Sequence, residues 1–496
     1  MASAGNAAGR SPWRVWRRAL RRSSASSAPE RWTRAISAHN DLPAGLGEWL
    51  SSQRWAGAGG RRLALRSVGA FGLRSAEPGV DIETHLMLAG GDYPVLYQVP
   101  LTWRTRPLAG AERALIGSVR DDQKNERFVY DGPHDPAYAA ALLELVLDRT
   151  AGFDEAGVAA RGALIGTDPR SQPVSSRVLS GEQSNTSIIY ELAGSDGGQA
   201  APVILKLFRS LHGGDNPDVA VQLALGSVGF DRVPRLIGAA IGEWPDPREP
   251  SGRARGHLAF AQEFLPEVHD AWRVALAAAT AGEDFSDPAR SLGQTTALMH
   301  AALAEAMPTI TATPTLIARA VGAMRDRLAT AVREVPEVAA FQDAIERVLV
   351  TASRAPWPRL QRIHGDLHLG QVLSVPGRGW LLLDFEGEPL RSVRERSQPD
   401  ATLRDVAGML RSFSYAAGHA ELANPGIATN ARAWAQASRR AFLDGYCAAA
   451  QSDTARDAAI LAAFELDKAV YEAIYESRNR PEWLSIPLQA IRLLTS

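Results

Sequence analysis

The densest chemistry in the chain lies around two acids. Asp366 sits in Ile363-His-Gly-Asp-Leu-His-Leu-Gly-Gln-Val372 and is followed five residues later by Gln371. Thirteen residues further on comes Asp384, in Leu381-Leu-Leu-Asp-Phe-Glu-Gly387. A tight loop between two short strands brings a carboxylate base and a side-chain oxygen together. The next strand, over Trp380–Leu383, then delivers a second carboxylate onto the same cation. Phosphoryl transfer needs this and little more, because its demands are alignment and neutralisation of phosphate charge. Asp366 is the expected base for an attacking hydroxyl, and Gln371 and Asp384 the expected holders of Mg²⁺, which prefers hard oxygen donors. A zinc site from His364, Asp366 and His368 lacks a further clustered ligand.

Protein kinases space an Asp, an Asn and a second Asp in a comparable way. They also carry a strand lysine for the nucleotide phosphates, and Lys206 in Val203-Ile-Leu-Lys-Leu-Phe208 is its counterpart. Only three of the 54 basic residues are lysines: Lys124, Lys206 and Lys468. In an arginine-biased chain, a lysine within an apolar strand points to a site that needs a compact ammonium facing an anion. About 20 residues upstream, Ser180-Gly-Glu-Gln-Ser-Asn-Thr-Ser187 is a small, polar stretch. Its Gln183, Ser184, Asn185, Thr186 and Ser187 are expected to turn backbone N–H groups and hydroxyls toward phosphate oxygens. Near the C-terminus, Lys468, Tyr471, Glu472 and Tyr475 share one helix face at steps of three and four. Such a face offers an aromatic platform and charged groups to sugar hydroxyls, and equally describes a solvated helix carrying a Lys468–Glu472 pair.

The elements that must position these groups follow from patterning. Residues 1–45 hold a basic stretch, with eight arginines against Glu30 in the first 40, and read as a disordered extension. Residues 46–135 alternate strand-like runs with Gly-rich turns and read as a β-rich cap. Residues 136–265 contain a helical run at Pro136–Arg149 and strands at Ser187–Leu192, Pro202–Phe208 and Leu258–Phe264, forming a nucleotide-binding lobe. Trp244–Gly256, dense in Pro, Gly and charge, reads as a surface loop. Residues 266–496 read as a helical lobe bearing the catalytic loop. The expected fold class is therefore α+β, a bilobal protein-kinase-like fold with an N-terminal β-rich cap domain and a mostly helical C-lobe.

Composition bounds the partners. The 496 residues are 45% hydrophobic and 22% charged with a formal net charge of −1, which gives no global basic field for nucleic acid. Cys447 is the single cysteine; no intrachain disulfide can form, in keeping with a reducing cytoplasm. No apolar run reaches the roughly 18 residues needed to span a bilayer.

Taken together, the chain from about Glu48 to Leu488 resembles the maltokinases, relatives of the aminoglycoside phosphotransferases. The resemblance rests on Gln53-Arg-Trp55, Glu182–Ser187, Asn216-Pro-Asp218, His364–Leu373, Leu383–Pro389, Leu403–Phe413 and Glu465–Pro481. It implies ATP as donor, Mg²⁺ as metal, and maltose as the small-molecule substrate. Maltose 1-phosphate for α-glucan synthesis would be the product, with association to other enzymes of that route. It also implies that Lys206 and Glu263 belong to the nucleotide site, and that His364, Tyr415, Lys468, Tyr471, Glu472 and Tyr475 line the sugar site. One departure stands out. The family places a lysine-pairing acid two residues after Asn-Pro-Asp, where this chain has Ala220, leaving Asp218 or Glu182 as substitutes.

Overall fold

The computed structural model describes residues 42–57, 63–90, 94–153, 157–166, 172–179, 184–194, 198–247, 249–388, 391–452 and 454–495. The expected extension over 1–45 therefore falls almost entirely outside the described residues, as do Glu182 and Gln183. The chain divides into two compact units. One runs to Val219 and adds Pro234–Pro266; the other comprises Ala220–Val233 and Glu267 onward.

The first unit is β-rich. Helix α1 (Leu46–Ser52) precedes strands β1 (Leu65–Leu73), β2 (Val80–Ala89), β3 (Val95–Arg104), β4 (Leu115–Arg120) and β5 (Glu126–Asp131). These form an antiparallel sheet in the order β1-β2-β3-β5-β4, with Leu50, Val99, Leu101 and Trp103 buried in its core. Helix α2 (Pro136–Val146), capped by the Asp135 carboxylate, leads into strands β6 (Ala151–Phe153), β7 (Ala159–Leu164), β8 (Gln172–Val178), β9 (Asn185–Ala193) and β10 (Gln199–Phe208). A two-residue strand, β11 (Ser210–Leu211), follows. It pairs back onto Leu96 and Tyr97 of β3, so the chain just past the lysine strand completes the first sheet. Helix α3 (Pro217–Ser227) begins at the end of this unit. Strands β12 (Leu236–Pro245) and β13 (Arg253–Glu263) complete a seven-stranded sheet in the order β6-β7-β12-β13-β10-β9-β8.

Buried polar contacts join the two sheets. Arg209, 1% exposed, donates to both Asp131 oxygens at 2.7 and 3.0 Å and to Thr186 Oγ1 at 2.8 Å. Its guanidinium also lies over the Trp55 ring, 4.5 Å from the centroid, where a planar cation stacks favourably. The expected surface loop Trp244–Gly256 is mostly hairpin instead. β12 and β13 stay paired out to Pro245 opposite Arg253, and Trp244 is buried. Its Pro and Gly residues mark the short turn, which the flanking alternation obscured in sequence.

The second unit is helical apart from a small sheet of β14 (His269–Asp270), β15 (Val372–Val375) and β16 (Gly379–Leu382). Its longer helices are α4 (Ala271–Ala281), α5 (Ser286–Ala306), α6 (Pro314–Glu334), α7 (Gln342–Arg354), α8 (Leu403–Ala423), α9 (Ala428–Ala450), α10 (Thr454–Asn479) and α11 (Ser485–Thr495). One continuous apolar core runs through them, including Leu292, Met299, Phe413, Phe442 and Phe464. Among the described residues no helix is long and apolar enough to cross a membrane.

Candidate active site

Lys206 stands mid-strand on β10, opposite Ser187 on one side and Phe260 on the other. Period-2 alternation puts Val203, Leu205 and Leu207 into the core and leaves Lys206 on the less buried face. Its Nζ lies 3.3 Å from Asp218 Oδ2 in the first turn of α3. The missing acid at Ala220 is thus replaced by one two residues earlier. Asp218 is the acid seen beside Lys206 among the described residues, and Glu182 lies outside them. Of the expected phosphate stretch, Ser184 accepts a bond from Asn185 Nδ2 at 3.2 Å. Thr186 accepts from Arg209, and Ser187 is buried. Glu263 ends β13 and meets Arg235, whose backbone N–H donates to its Oε2 at 3.2 Å.

In the helical unit, the loop carrying Asp366 is held by one face of α8. Asp405 accepts the His364 and Gly365 backbone N–H groups, both at 2.8 Å, and pairs with His300 Nε2 at 2.9 Å. One turn on, Gly408 lies so near the loop that a Cβ there would be 2.5 Å from Leu367 O. A turn later Ser412 Oγ accepts the Leu369 N–H at 3.0 Å. Positions 405, 408 and 412 follow the helical repeat, so one stripe of α8 pins the loop from end to end. Asp405 was missed as a site residue. The signal available in sequence was an acid directly before the apolar run Val406–Leu410, in the first turn of a helix, where burial obliges it to find donors.

His364, expected at the sugar, is 1% exposed. Its Nε2 lies 2.8 Å from Leu383 O and its ring packs on Phe385 with centroids 4.7 Å apart. It ties the Asp366 loop to the Asp384 segment and presents no free edge. Asp384 has φ of 60°, a left-handed conformation costly for a non-glycine residue but tolerated best by Asp and Asn. Gln371 donates its amide N–H to Asp384 Oδ2 at 3.0 Å; turned over, the amide offers Oε1 to the same place. Glu386 brings a carboxylate oxygen within 4.8 Å of one from Asp384. Two carboxylates and an amide oxygen form a hard donor set suited to Mg²⁺. Glu386 was also missed, although an acid two residues after Asp384 was visible.

Helix α10 supplies the other side of Asp366. Lys468 Nζ lies 2.9 Å from Asp366 Oδ1 and 3.5 Å from Glu388 Oε1. Arg327 bonds Asp467 at 2.9 Å and approaches Glu388 at 3.5 Å. Arg404 joins Asp400 and Asp467. Arg327, Glu388, Arg404, Asp467 and Lys468, with Gly365 and Phe464, line a small pocket at Asp366. Burial alone would push Asp366 up, but Lys468, His368 and His364 together outweigh it and hold the carboxyl at about 2. Burial opposes the Lys468 charge too, yet Asp366 and Glu388 raise its affinity for the proton. Burial raises Glu388 in turn, and Lys468, Arg327 and Arg404 bring it below the usual carboxylate range.

The remaining expected sugar residues divide. Tyr471 flanks Lys468, whose ammonium is 4.9 Å from the ring centroid, and stacks with the half-exposed Tyr475 at 6.4 Å. Glu472 does not pair with Lys468: it accepts both Arg411 Nε and Nη2, at 3.0 and 2.7 Å. Burial raises it despite that partner. Tyr415 is 9% exposed and donates to Glu476 at 3.1 Å. These two belong to the packing between α8 and α10: Glu472 of α10 pairs with Arg411 of α8, and Tyr415 of α8 with Glu476 of α10.

Residues 49–135 match the maltokinase N-terminal cap domain, and residues 239–460 match the phosphotransferase enzyme family. A glucosamine kinase from Streptacidiphilus jiangxiensis is 30% identical over 282 residues, 53% of this chain and 64% of that protein. The chain thus spans somewhat less than two thirds of that relative's length. A glucosamine kinase from Mycolicibacterium smegmatis is 29% identical over 345 residues, 64% of this chain and 79% of that protein. A solved structure of a glucosamine kinase in complex with glucosamine, ADP and inorganic phosphate superposes with a TM-score of 0.61 at 23% identity. The superposition covers 87% of this chain and 94% of that one.

Proposed function

The chain belongs to the aminoglycoside phosphotransferase superfamily as a maltokinase-like member, and from that premise we propose that it transfers the γ-phosphoryl group of ATP to the anomeric hydroxyl of maltose. Asp366 takes the hydroxyl proton as the sugar oxygen bonds to phosphorus and the bond to the departing ADP oxygen breaks. Lys206, oriented by Asp218, holds nucleotide phosphates. Asp384, Gln371 and Glu386 would hold Mg²⁺, which would supply neutralisation of phosphate charge there. The stacked pair Tyr471 and Tyr475 offers a platform to a sugar ring beyond the reacting one.

The single observation carrying the choice of a neutral sugar is the Lys468 ammonium set between Asp366 and Glu388. Every carboxylate lining the pocket has a cationic partner, so a sugar ammonium would meet a like charge already in place, which is costly. A second reading, a glucosamine kinase, draws its support from the names of the two relatives. ADP release with ATP, Mg²⁺ and maltose, glucose, glucosamine or trehalose separates them. Maltose should give the highest kcat/KM, with the product's phosphorus coupled to the anomeric proton in its NMR spectrum. Preference for glucosamine would overturn the maltose assignment, and no ADP release with any sugar would overturn the kinase reading.

A further inference from the structure

The acid serving Lys206 is unusually dependent on how its helix starts. An acid placed further along a helix inherits its position from the backbone ladder. The first turn has no such ladder for its N–H groups, so its geometry rests on the cap. Here the cap is Asn216, whose Oδ1 accepts the Asp218 N–H at 2.9 Å and the Val219 N–H at 3.4 Å.

Asn216 is itself held from β13. Its backbone N–H donates to His257 Nδ1 at 3.1 Å, and two residues earlier the Gly214 N–H donates to Arg255 O at 2.7 Å. Between those anchors lies Gly256, where a Cβ would stand 2.2 Å from His212 O and 2.9 Å from the Trp244 ring. The absent side chain lets the segment 212–216 lie directly on β13. The same strand places Phe260 opposite Lys206. One strand therefore fixes the lysine at one point and, three residues earlier, the start of the helix bearing its acid.

His257 is suited to accept a bond. It is 6% exposed, and burial, reinforced by Arg255 and opposed by Asp215, holds its imidazole at about 4. The ring is neutral near pH 7, with Nδ1 unprotonated and Nε2 carrying the hydrogen.

We propose that His257 is a positioning residue for Lys206: through Asn216 it fixes the first turn of α3 and so sets the Asp218 carboxylate against the ammonium. The inference rests on the kinase reading, in which Lys206 holds nucleotide phosphates. It assigns a task to a residue outside the phosphate stretch, the lysine strand and the catalytic loop.

The test is steady-state kinetics on the full chain with ATP and sugar varied separately. His257→Leu removes the acceptor, whereas His257→Asn keeps an oxygen near the Nδ1 position. Asn216→Ala removes the cap and leaves His257 in place, which covers the case of a His257→Leu protein that does not fold. His257→Leu and Asn216→Ala should each raise the KM for ATP by about 2- to 30-fold, the equivalent of losing one helix cap. The sugar KM should stay within about twofold, and His257→Asn should recover most of the ATP effect. In an Asp218→Ala background His257→Leu should add nothing, because the group it positions is gone. An equal rise in both KM values, an undiminished effect without Asp218, or no recovery by Asn overturns the proposal. An active wild type matched by both His257→Leu and Asn216→Ala overturns it alone. A wild type that turns over no ATP with any sugar sinks the kinase reading and this inference with it.

Discussion

Lys468 on α10 reaches Oδ1 of Asp366 at 2.9 Å although 102 residues separate them in the chain. The contact places a permanent cation on the proposed base and leaves its second oxygen for the substrate. In the proposed reaction it would bring the last long helix to the base. The consequences can be tested one at a time.

Asp366→Asn keeps the size of the side chain and removes its basicity. Turnover should fall by about 10²–10⁴-fold, the usual contribution of a positioned general base. Nucleotide affinity, measured by calorimetry with Mg-ADP, should be unchanged. Turnover equal to wild type would remove Asp366 from the mechanism.

Lys468→Met should change what the site accepts. With the ammonium gone, Asp366 and Glu388 face the pocket with less compensation, so the ratio of kcat/KM for glucosamine to that for maltose should rise by at least about tenfold. A ratio that does not move would mean that Lys468 plays no part in choosing the sugar.

The same variant has a pH signature. Asp366 is depressed from 3.8 to about 2, so the ionised form is favoured and kcat/KM should show no acid limb from this group between about pH 5 and 8. A depressed carboxyl stabilises the fold fully above its unfolded value, and that contribution is lost as pH falls through about 2. Without Lys468, burial is opposed less, so the acid limb should move up in pH. An identical profile in Lys468→Met would contradict the pairing.

Asp384→Asn separates charge from backbone geometry, because Asn tolerates the left-handed φ of 60° found there. The protein should unfold at nearly the wild-type temperature, while the Mg²⁺ concentration for half-maximal activity rises by about tenfold or more. Unchanged Mg²⁺ dependence would exclude Asp384 as a metal ligand.

Asp405→Asn should cost both stability and rate. Asp405 accepts two backbone N–H groups and pairs with His300, and bonds to a charged acceptor are worth about 1.5–3 kcal/mol each. Urea unfolding should report a loss of about 2–3 kcal/mol, and turnover should fall because the loop bearing Asp366 loosens. A loss in stability with full turnover would show that the loop keeps its geometry without this anchor.

The legible part of the site was the part written locally. Asp366, Gln371 and Asp384 share one stretch, and their spacing alone fixes the order of loop, strand and carboxylate, with Gln371 bonded to Asp384 in the fold. Lys206 was legible for another reason, since a lysine inside an apolar strand is conspicuous. The residues that were missed or misplaced depend on partners far away in sequence. Glu472 was placed on the sugar face because the helix wheel cannot say which side packs, and Tyr415 was placed there by the family resemblance alone. Arg411 and Glu476 take them inward. His364 sits beside the base in sequence but spends its Nε2 on Leu383.

By itself the sequence determined the alternation that makes β9, β10 and β13, the long apolar periodicity of the helical unit, and the order of acids in the catalytic segment. These follow from neighbours within a few residues, where covalent geometry sets the periods. Only tertiary structure decided that Asp218 serves Lys206, that Lys468 reaches Asp366 and that Asp405 grips the loop. Each is a choice among several charged groups of adequate type, and the choice is made by which helix face the core buries. Burial of apolar surface fixes those faces first, and the charges pair with whatever it brings within reach.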